Sequence, residues 1–255
     1  MKSEFMYGTD LRDDQFDTNI ENLSKNKFEE KINNVNYEQF GITLGYQKKY
    51  NITLGNTILP NESKNILIVT RGRSGSSFLG DLLSSLPGTF YSFEPLHFIK
   101  EHSDLSHSID LIKEVFTCSP SSEYIRHPSK WGPTLNHNFR YKNSCKDILS
   151  GSEACFIPKV YYSSCPLFPI RLIKTIRLPF EDVETILTDP TLGRKLKVIF
   201  LFRDPRGRLQ SLKSKVHWCS NNEETNRCNI SNLCTDLKRD LSAAIKLKSR
   251  HPGNY

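Results

Sequence analysis

Two apolar runs of this chain break in the same way. "NILIVT" (Asn65–Thr70) stops at the loop "RGRSGSS", "LKVIFLF" (Leu196–Phe202) stops at "RDPRGR", and each loop opens onto a helical pattern. Continuous apolar runs of strand length suit a sheet covered on both faces. Two further runs fit the same scheme, "FYSFE" (Phe90–Glu94) and "IRLIKTIRL" (Ile170–Leu178). Strands that alternate with helices need crossover connections, and crossovers make the strands parallel. The expected architecture is therefore α/β, a central and mainly parallel sheet flanked by helices. In such a sheet ligands bind beyond the carboxyl ends of the strands, so both polar loops should face one crevice.

The helices are legible from periodicity and punctuation. After the first loop, Phe78, Leu79, Leu82, Leu83 and Leu86 are expected on one helical face, with Pro87-Gly88 ending it. Further helices are expected over Ile109–Phe116, through Val183, Ile186 and Leu187, after Asp204-Pro205, and over Leu233–Ser249. Residues 100–150 are irregular. Residues 1–64 are polar and rich in Asn and Lys, and read as an extension or stem with at most one short helix. Residues 65–255 read as the folded domain.

With 255 residues, 37% of them hydrophobic and including 15 Phe and 10 Tyr, the chain can bury a full core. Its formal net charge of +7 favours an anionic partner. A nucleic-acid module is not expected, because aromatic residues are not interleaved with Arg and Lys in a recognisable pattern. No apolar run approaches the ~18–20 residues of a membrane span, and the first residues do not form a signal peptide. Taken alone, these features describe a soluble cytosolic chain.

The seven cysteines contain no CxxC pair, which argues against a zinc ribbon, and no metal site is expected. Cys219, Cys228 and Cys234 share a polar, Asn-rich loop suited either to a disulfide in an oxidising compartment or to free thiols. Asn22, Asn51, Asn61 and Asn229 each begin an N-x-[ST] sequon, compatible with a lumenal glycoprotein.

The chemistry concentrates in the two loops. Gly72 to Ser77 can present backbone N–H groups at a helix start, where they and the helix dipole favour an anion. Ser74, Ser76 and Ser77 add hydroxyl donors, Gly75 lets the main chain approach closely, and Arg73 offers a bidentate, charge-assisted grip. No Lys follows Gly75, as a magnesium–ATP loop would require. In the second loop Arg206, Arg208 and Lys213 are expected to crowd the first turns of a helix, where cations are disfavoured unless an anion docks. Arg203 at the strand end and Ser211 two turns into the helix could grip one phosphate. Together the loops suit a ligand with anionic groups at both ends, such as a 3′,5′-bisphosphorylated nucleotide. Glu94, ending the second strand on the same side, could take a proton from a hydroxyl nucleophile, or could be a structural partner of an Arg. His97 is a weaker candidate for that base.

The segments "RGRSGSSFLGDLLSSLPGTFYSFEPLH" and "LKVIFLFRDPRGRLQS" resemble the two nucleotide-binding motifs of Golgi carbohydrate sulfotransferases, in particular the galactose/N-acetylglucosamine/N-acetylgalactosamine 6-O-sulfotransferase branch. "IKTIRL" and the tail "NLCTDLKRDLSAAIKLKSRHPGNY" also resemble family segments in the same order. The resemblance runs over about Asn65 to Tyr255 and implies the P-loop-like fold of the sulfotransferases that use PAPS (3′-phosphoadenosine 5′-phosphosulfate), without a metal. It implies that Arg73, Ser74, Gly75, Ser76 and Ser77, with Arg71 and Gly72 leading into them, form the 5′-phosphosulfate site. Arg203 and Ser211 match the pair that binds the 3′-phosphate. Arg73 falls where relatives use Lys to stabilise the departing oxygen, and Glu94 lies in the family's "FEP" segment as the candidate general base. The implied reaction moves a sulfuryl group to a sugar hydroxyl, the 6-OH by this branch, of a glycan or glycosaminoglycan in the Golgi lumen. The family is anchored in the membrane by a segment this chain does not show. It also continues beyond the position of Tyr255 with a further strand and helices, so residues 65–255 are expected to be an incomplete sulfotransferase domain. An inactive relative that binds nucleotide or glycan without catalysis is the alternative.

Overall fold

The computed structural model describes residues 63–86, 88–97, 105–119, 165–214, 219 and 228–255, all within one compact unit, Gly41–Tyr255. Residues 1–62 of the extension expected over 1–64, most of the irregular stretch, three sequons (Asn22, Asn51, Asn61) and Cys145 and Cys155 lie outside the described residues.

Four strands, β1 (Lys64–Thr70), β2 (Thr89–Phe93), β3 (Ile170–Thr175) and β4 (Leu196–Leu201), form one sheet in the order β2-β3-β1-β4. Every pairing is parallel, as the apolar runs and intervening helices require. The helices are α1 (Ser76–Ser84), α2 (Leu105–Phe116), α3 (Val183–Leu187), α4 (Pro205–Lys213) and α5 (Ile230–Arg250). Leu67, Ile68 and Val69 of the central β1 are fully buried, as expected for a strand covered on both faces. β2 is buried along its whole length although, among the described residues, it lies at the sheet edge.

One expectation fails. The apolar face read for α1 does not pack down as a unit. Ser76, Gly80 and Ser84 face inward, Leu79 and Leu83 flank them, and Phe78 (76% exposed), Leu82 and Leu86 face outward. Small residues every fourth position let the helix approach the sheet closely. A Cβ on Gly80 would lie 2.0 Å from the buried Tyr91 hydroxyl, so bulk is excluded there and the larger residues are displaced to the sides. Gly80→Ala is therefore expected to destabilise the fold by about 1–3 kcal/mol, measured as a lowered midpoint of urea unfolding.

Buried polar contacts bind the remaining elements to the sheet. Arg171, inside β3, donates from Nη1 to the Phe116 carbonyl at the end of α2 (2.8 Å), where a cation complements the helix dipole. Burial pushes this guanidinium down to about 10. A disulfide, Cys118–Cys165, joins the end of α2 to the approach of β3 across 47 residues. Cys219 pairs with Cys228, whereas Cys234, expected in the same loop, lies in the first turns of α5 and is a free thiol. At the C-terminus Asn254 donates to the carbonyls of Gly193 (2.5 Å) and Leu196 (2.7 Å), and Tyr255 stacks on Phe200. No helix among the described residues is long and apolar enough to cross a membrane.

Candidate functional site

The first loop leaves β1 at Arg71 and enters α1 at Ser76. Gly75 takes φ +90° where the chain turns into the helix; a Cβ would touch nothing within 4 Å, so the requirement for Gly is conformational. Ser74 and Ser76 are buried and Ser77 is half-buried. Among the described residues no hydrogen bond holds their hydroxyls. Arg73 has φ +67°, a left-handed conformation uncommon for a side chain of this size.

The second loop meets the first. Asp204 caps α4 by accepting from the Arg206 N–H (2.8 Å), with Pro205 in the first turn. Arg203 Nη1 donates to the Arg73 carbonyl (3.0 Å), Arg208 Nε donates to the Gly72 carbonyl (3.0 Å), and Arg73 Nε donates to Ser211 Oγ (3.0 Å). A Cβ on Gly207 would lie 3.3 Å from Arg203 Nε, so the first turn of α4 leaves the arginine little more than the room it occupies. Three long-range hydrogen bonds thus join the two strand-end loops, and Arg73, Arg203 and Ser211 lie in one place.

Two basic residues differ from expectation. Arg206 spends its guanidinium on its neighbour Asp204 at the surface, and that carboxyl is held down at about 2, chiefly by the Arg206 hydrogen bond. Lys213 lies in the last turn of α4, where the helix dipole favours a cation. The crowding of cations at the helix start therefore reduces to Arg203 and Arg208, both turned onto the first loop.

Arg71 is bound elsewhere. Its Nε and Nη2 donate to the two oxygens of Asp240 on α5, both at 2.7 Å. Hydrogen bonding to this carboxylate, against the cost of burial, raises the guanidinium pKa.

Glu94 follows β2 directly, is 8% exposed and has φ +46°. Lys174 Nζ donates to its Oε1, and Arg177 Nη1 donates to its Oε2 (2.7 Å). Lys174 is 2% exposed and its ammonium lies 4.3 Å from the centroid of the Phe93 ring. Burial lowers the Lys174 pKa, an effect opposed by Glu94. The structural ion pair considered for Glu94 is thus present, with a Lys as well as an Arg. His97 donates its main-chain N–H to the Glu94 carbonyl (2.9 Å), and partial burial, followed by the Arg177 charge, lowers its pKa.

Asp240, Lys174 and Arg177 were not singled out from the sequence. Lys174 left one readable signal, a lone Lys inside the apolar strand "IRLIKT". Asp240 left none, since a Lys/Arg/Asp-rich helix hides which carboxylate turns inward.

Fold and site together define a parallel α/β protein with a donor-lined turn at the carboxyl edge of its sheet, facing an Arg- and Ser-bearing helix. The chain is 26% identical to carbohydrate sulfotransferase 1 of Mus musculus and 29% identical to that of Homo sapiens, in each case covering 75% of this chain and 57% of the relative. It is 29% identical to carbohydrate sulfotransferase 7 of Rattus norvegicus, over 60% of this chain and 40% of the relative. The proteins this chain resembles are thus carbohydrate sulfotransferases, and its similarity to them runs over most of its length. It spans just over half the length of these sulfotransferase 1 relatives. No family model and no solved structure matches it.

Proposed function

We propose that this chain carries the donor site of a PAPS-dependent carbohydrate sulfotransferase, which moves a sulfuryl group to a sugar hydroxyl, the 6-OH, of a glycan. The observation that carries the reading is the joining of the two loops through Arg73, Arg203, Arg208 and Ser211. Arg203 and Arg208 donate to the turn, Ser211 accepts from Arg73 and keeps a hydroxyl hydrogen to donate, and the turn they meet lacks the Lys of a magnesium–ATP loop. A 3′,5′-bisphosphorylated donor matches that chemistry at both ends. The relatives' names support sulfuryl transfer to carbohydrate.

In this reading Gly72–Ser77 and the start of α1 hold the phosphosulfate, while Arg203 and Ser211 hold the 3′-phosphate. The acceptor hydroxyl gives its proton to a Glu94 oxygen and its oxygen attacks sulfur. The sulfur–oxygen bond to the phosphate breaks and adenosine 3′,5′-bisphosphate leaves, its new charge stabilised by Arg73 and the turn N–H groups. Lys174 and Arg177, one on each carboxylate oxygen, hold Glu94 in orientation before it takes the proton. The donor binds through fixed dipoles and guanidinium groups, which need no metal. The net charge of +7 favours an acidic glycan acceptor.

The disulfides Cys118–Cys165 and Cys219–Cys228 suit an oxidising compartment, in keeping with a Golgi lumenal glycoprotein. The test is incubation with PAPS labelled in the sulfuryl group and a panel of keratan, chondroitin and N-acetylglucosamine-terminated acceptors. Label is expected on the 6-OH of one acceptor class. Donor binding without transfer, by the chain or by a longer form containing it, would leave the inactive binder as the better reading.

A further inference from the structure

We propose that Asp240 on α5 sets the position of the anion cradle by holding Arg71, and that Arg71 is the bracket at the root of the cradle and not one of its ligands. The proposal rests on the reading of Gly72–Ser77 as a phosphosulfate site.

Asp240 lies in the middle of α5 and is 1% exposed. A carboxylate buried to that degree needs a partner that satisfies its charge and its lone pairs. Arg71 supplies one donor to each oxygen, a forked geometry that fixes the plane and the distance of the guanidinium. The same guanidinium lies 5.8 Å from the centroid of the buried Phe180 ring, which stacks on Phe200 of β4. Arg71 is therefore held between α5 and the aromatic groups on the sheet.

That contact falls at the residue where the chain leaves β1 for the turn. One residue earlier, Thr70 Oγ1 donates to the Leu201 carbonyl at the end of β4 (2.7 Å). One and two residues later, Arg208 of α4 and Arg203 just before that helix hold the carbonyls of Gly72 and Arg73. Four consecutive residues, Thr70 to Arg73, are thus fixed by long-range contacts, and α5 packs on α4 as well as holding Arg71. The direction of the turn's N–H groups follows from these anchors. To grip a phosphate with the edge it now gives to Asp240, Arg71 would have to abandon a buried carboxylate, which is strongly unfavourable.

The experiment compares wild type, Asp240→Asn and the double variant Arg71→Met/Asp240→Leu. It reads calorimetric affinity for adenosine 3′,5′-bisphosphate, amide hydrogen exchange and thermal melting. Asp240→Asn makes the chain more positive, so electrostatics alone predicts tighter binding. The bracket predicts binding weaker by about tenfold or more and faster exchange at residues 72–77, with β1 still protected. The double variant exchanges the ion pair for apolar side chains and is expected within about threefold of wild type in affinity. Wild-type affinity and exchange in Asp240→Asn would overturn the proposal. So would a double variant that folds yet binds as weakly as Asp240→Asn, because Arg71 would then be a ligand. If Asp240→Asn does not fold, the double variant decides by that criterion. If wild type itself does not bind the bisphosphate, the donor-site reading fails; the bracket is then judged by the exchange of residues 72–77 alone.

Discussion

Glu94→Gln is expected to lower sulfuryl transfer by about 10²- to 10⁴-fold, the range for loss of a positioned general base. Binding of adenosine 3′,5′-bisphosphate should stay within about threefold of wild type, because only the step in which the acceptor loses its proton is removed. Gln keeps the volume and one acceptor oxygen, so either Lys174 or Arg177 retains a partner. The other cation then faces an amide N–H₂, and for the buried Lys174 that loss has a stability cost. Melting of the variant must therefore accompany the rate, so that a partly unfolded sample is not read as a slow enzyme. Full activity in a folded Glu94→Gln variant would remove Glu94 from the mechanism. His97 would be the next group to test, since its lowered pKa favours the neutral imidazole that can accept a proton.

The elements of the fold were legible because β1 and β4 are largely continuous apolar runs stopped by polar loops, and β2 and β3 are mainly apolar despite Ser92, Arg171 and Lys174. β1 and β4 end where Arg and Gly interrupt Val/Ile/Leu/Phe runs, and the parallel pairing follows from the helices between them. The inward face of α1 was not legible. Hydrophobic periodicity assigns Phe78 and Leu82 to the core, but the close approach of Gly80 to Tyr91 is a tertiary constraint that no local pattern encodes. The same distinction runs through the site. Arg73, Arg203 and Ser211 could be placed together because each follows a strand end by a countable number of residues. Which carboxylate would take Arg71, or which cations would take Glu94, depends on contacts 169 and 80 or 83 residues away in sequence.

Backbone strain gives a signal independent of those contacts. Among the described residues, three non-glycine side chains have positive φ, Arg73, Glu94 and Cys118. Each such conformation costs roughly 1–3 kcal/mol and persists only where the surroundings enforce it. Cys118 is held by its disulfide. The other two are the residues that the proposed reaction places at the leaving group and at the acceptor proton.

That coincidence makes Arg73 the site of the second large effect. Arg73→Gly is expected to fold as well as wild type, because relief of the left-handed conformation, about 1–2 kcal/mol, offsets the greater chain entropy of Gly, about 0.5–1 kcal/mol, and the lost bond to Ser211. Its main-chain carbonyl remains to accept from Arg203, so the two loops stay joined. Turnover should nevertheless fall by about 10²- to 10³-fold, as when one donor to a developing negative charge is removed. Arg203→Ala should behave differently. It deletes a charge-assisted contact that is the same in ground and transition states, so the loss, about 10- to 100-fold, should appear in donor affinity and KM and leave kcat close to wild type. The two variants separate anchoring from chemistry within one cradle. Unchanged kcat in Arg73→Gly would make the turn an anchor for the nucleotide and no more, whereas a stable variant that binds the bisphosphate and fails to transfer would place the Arg73 guanidinium on the departing oxygen.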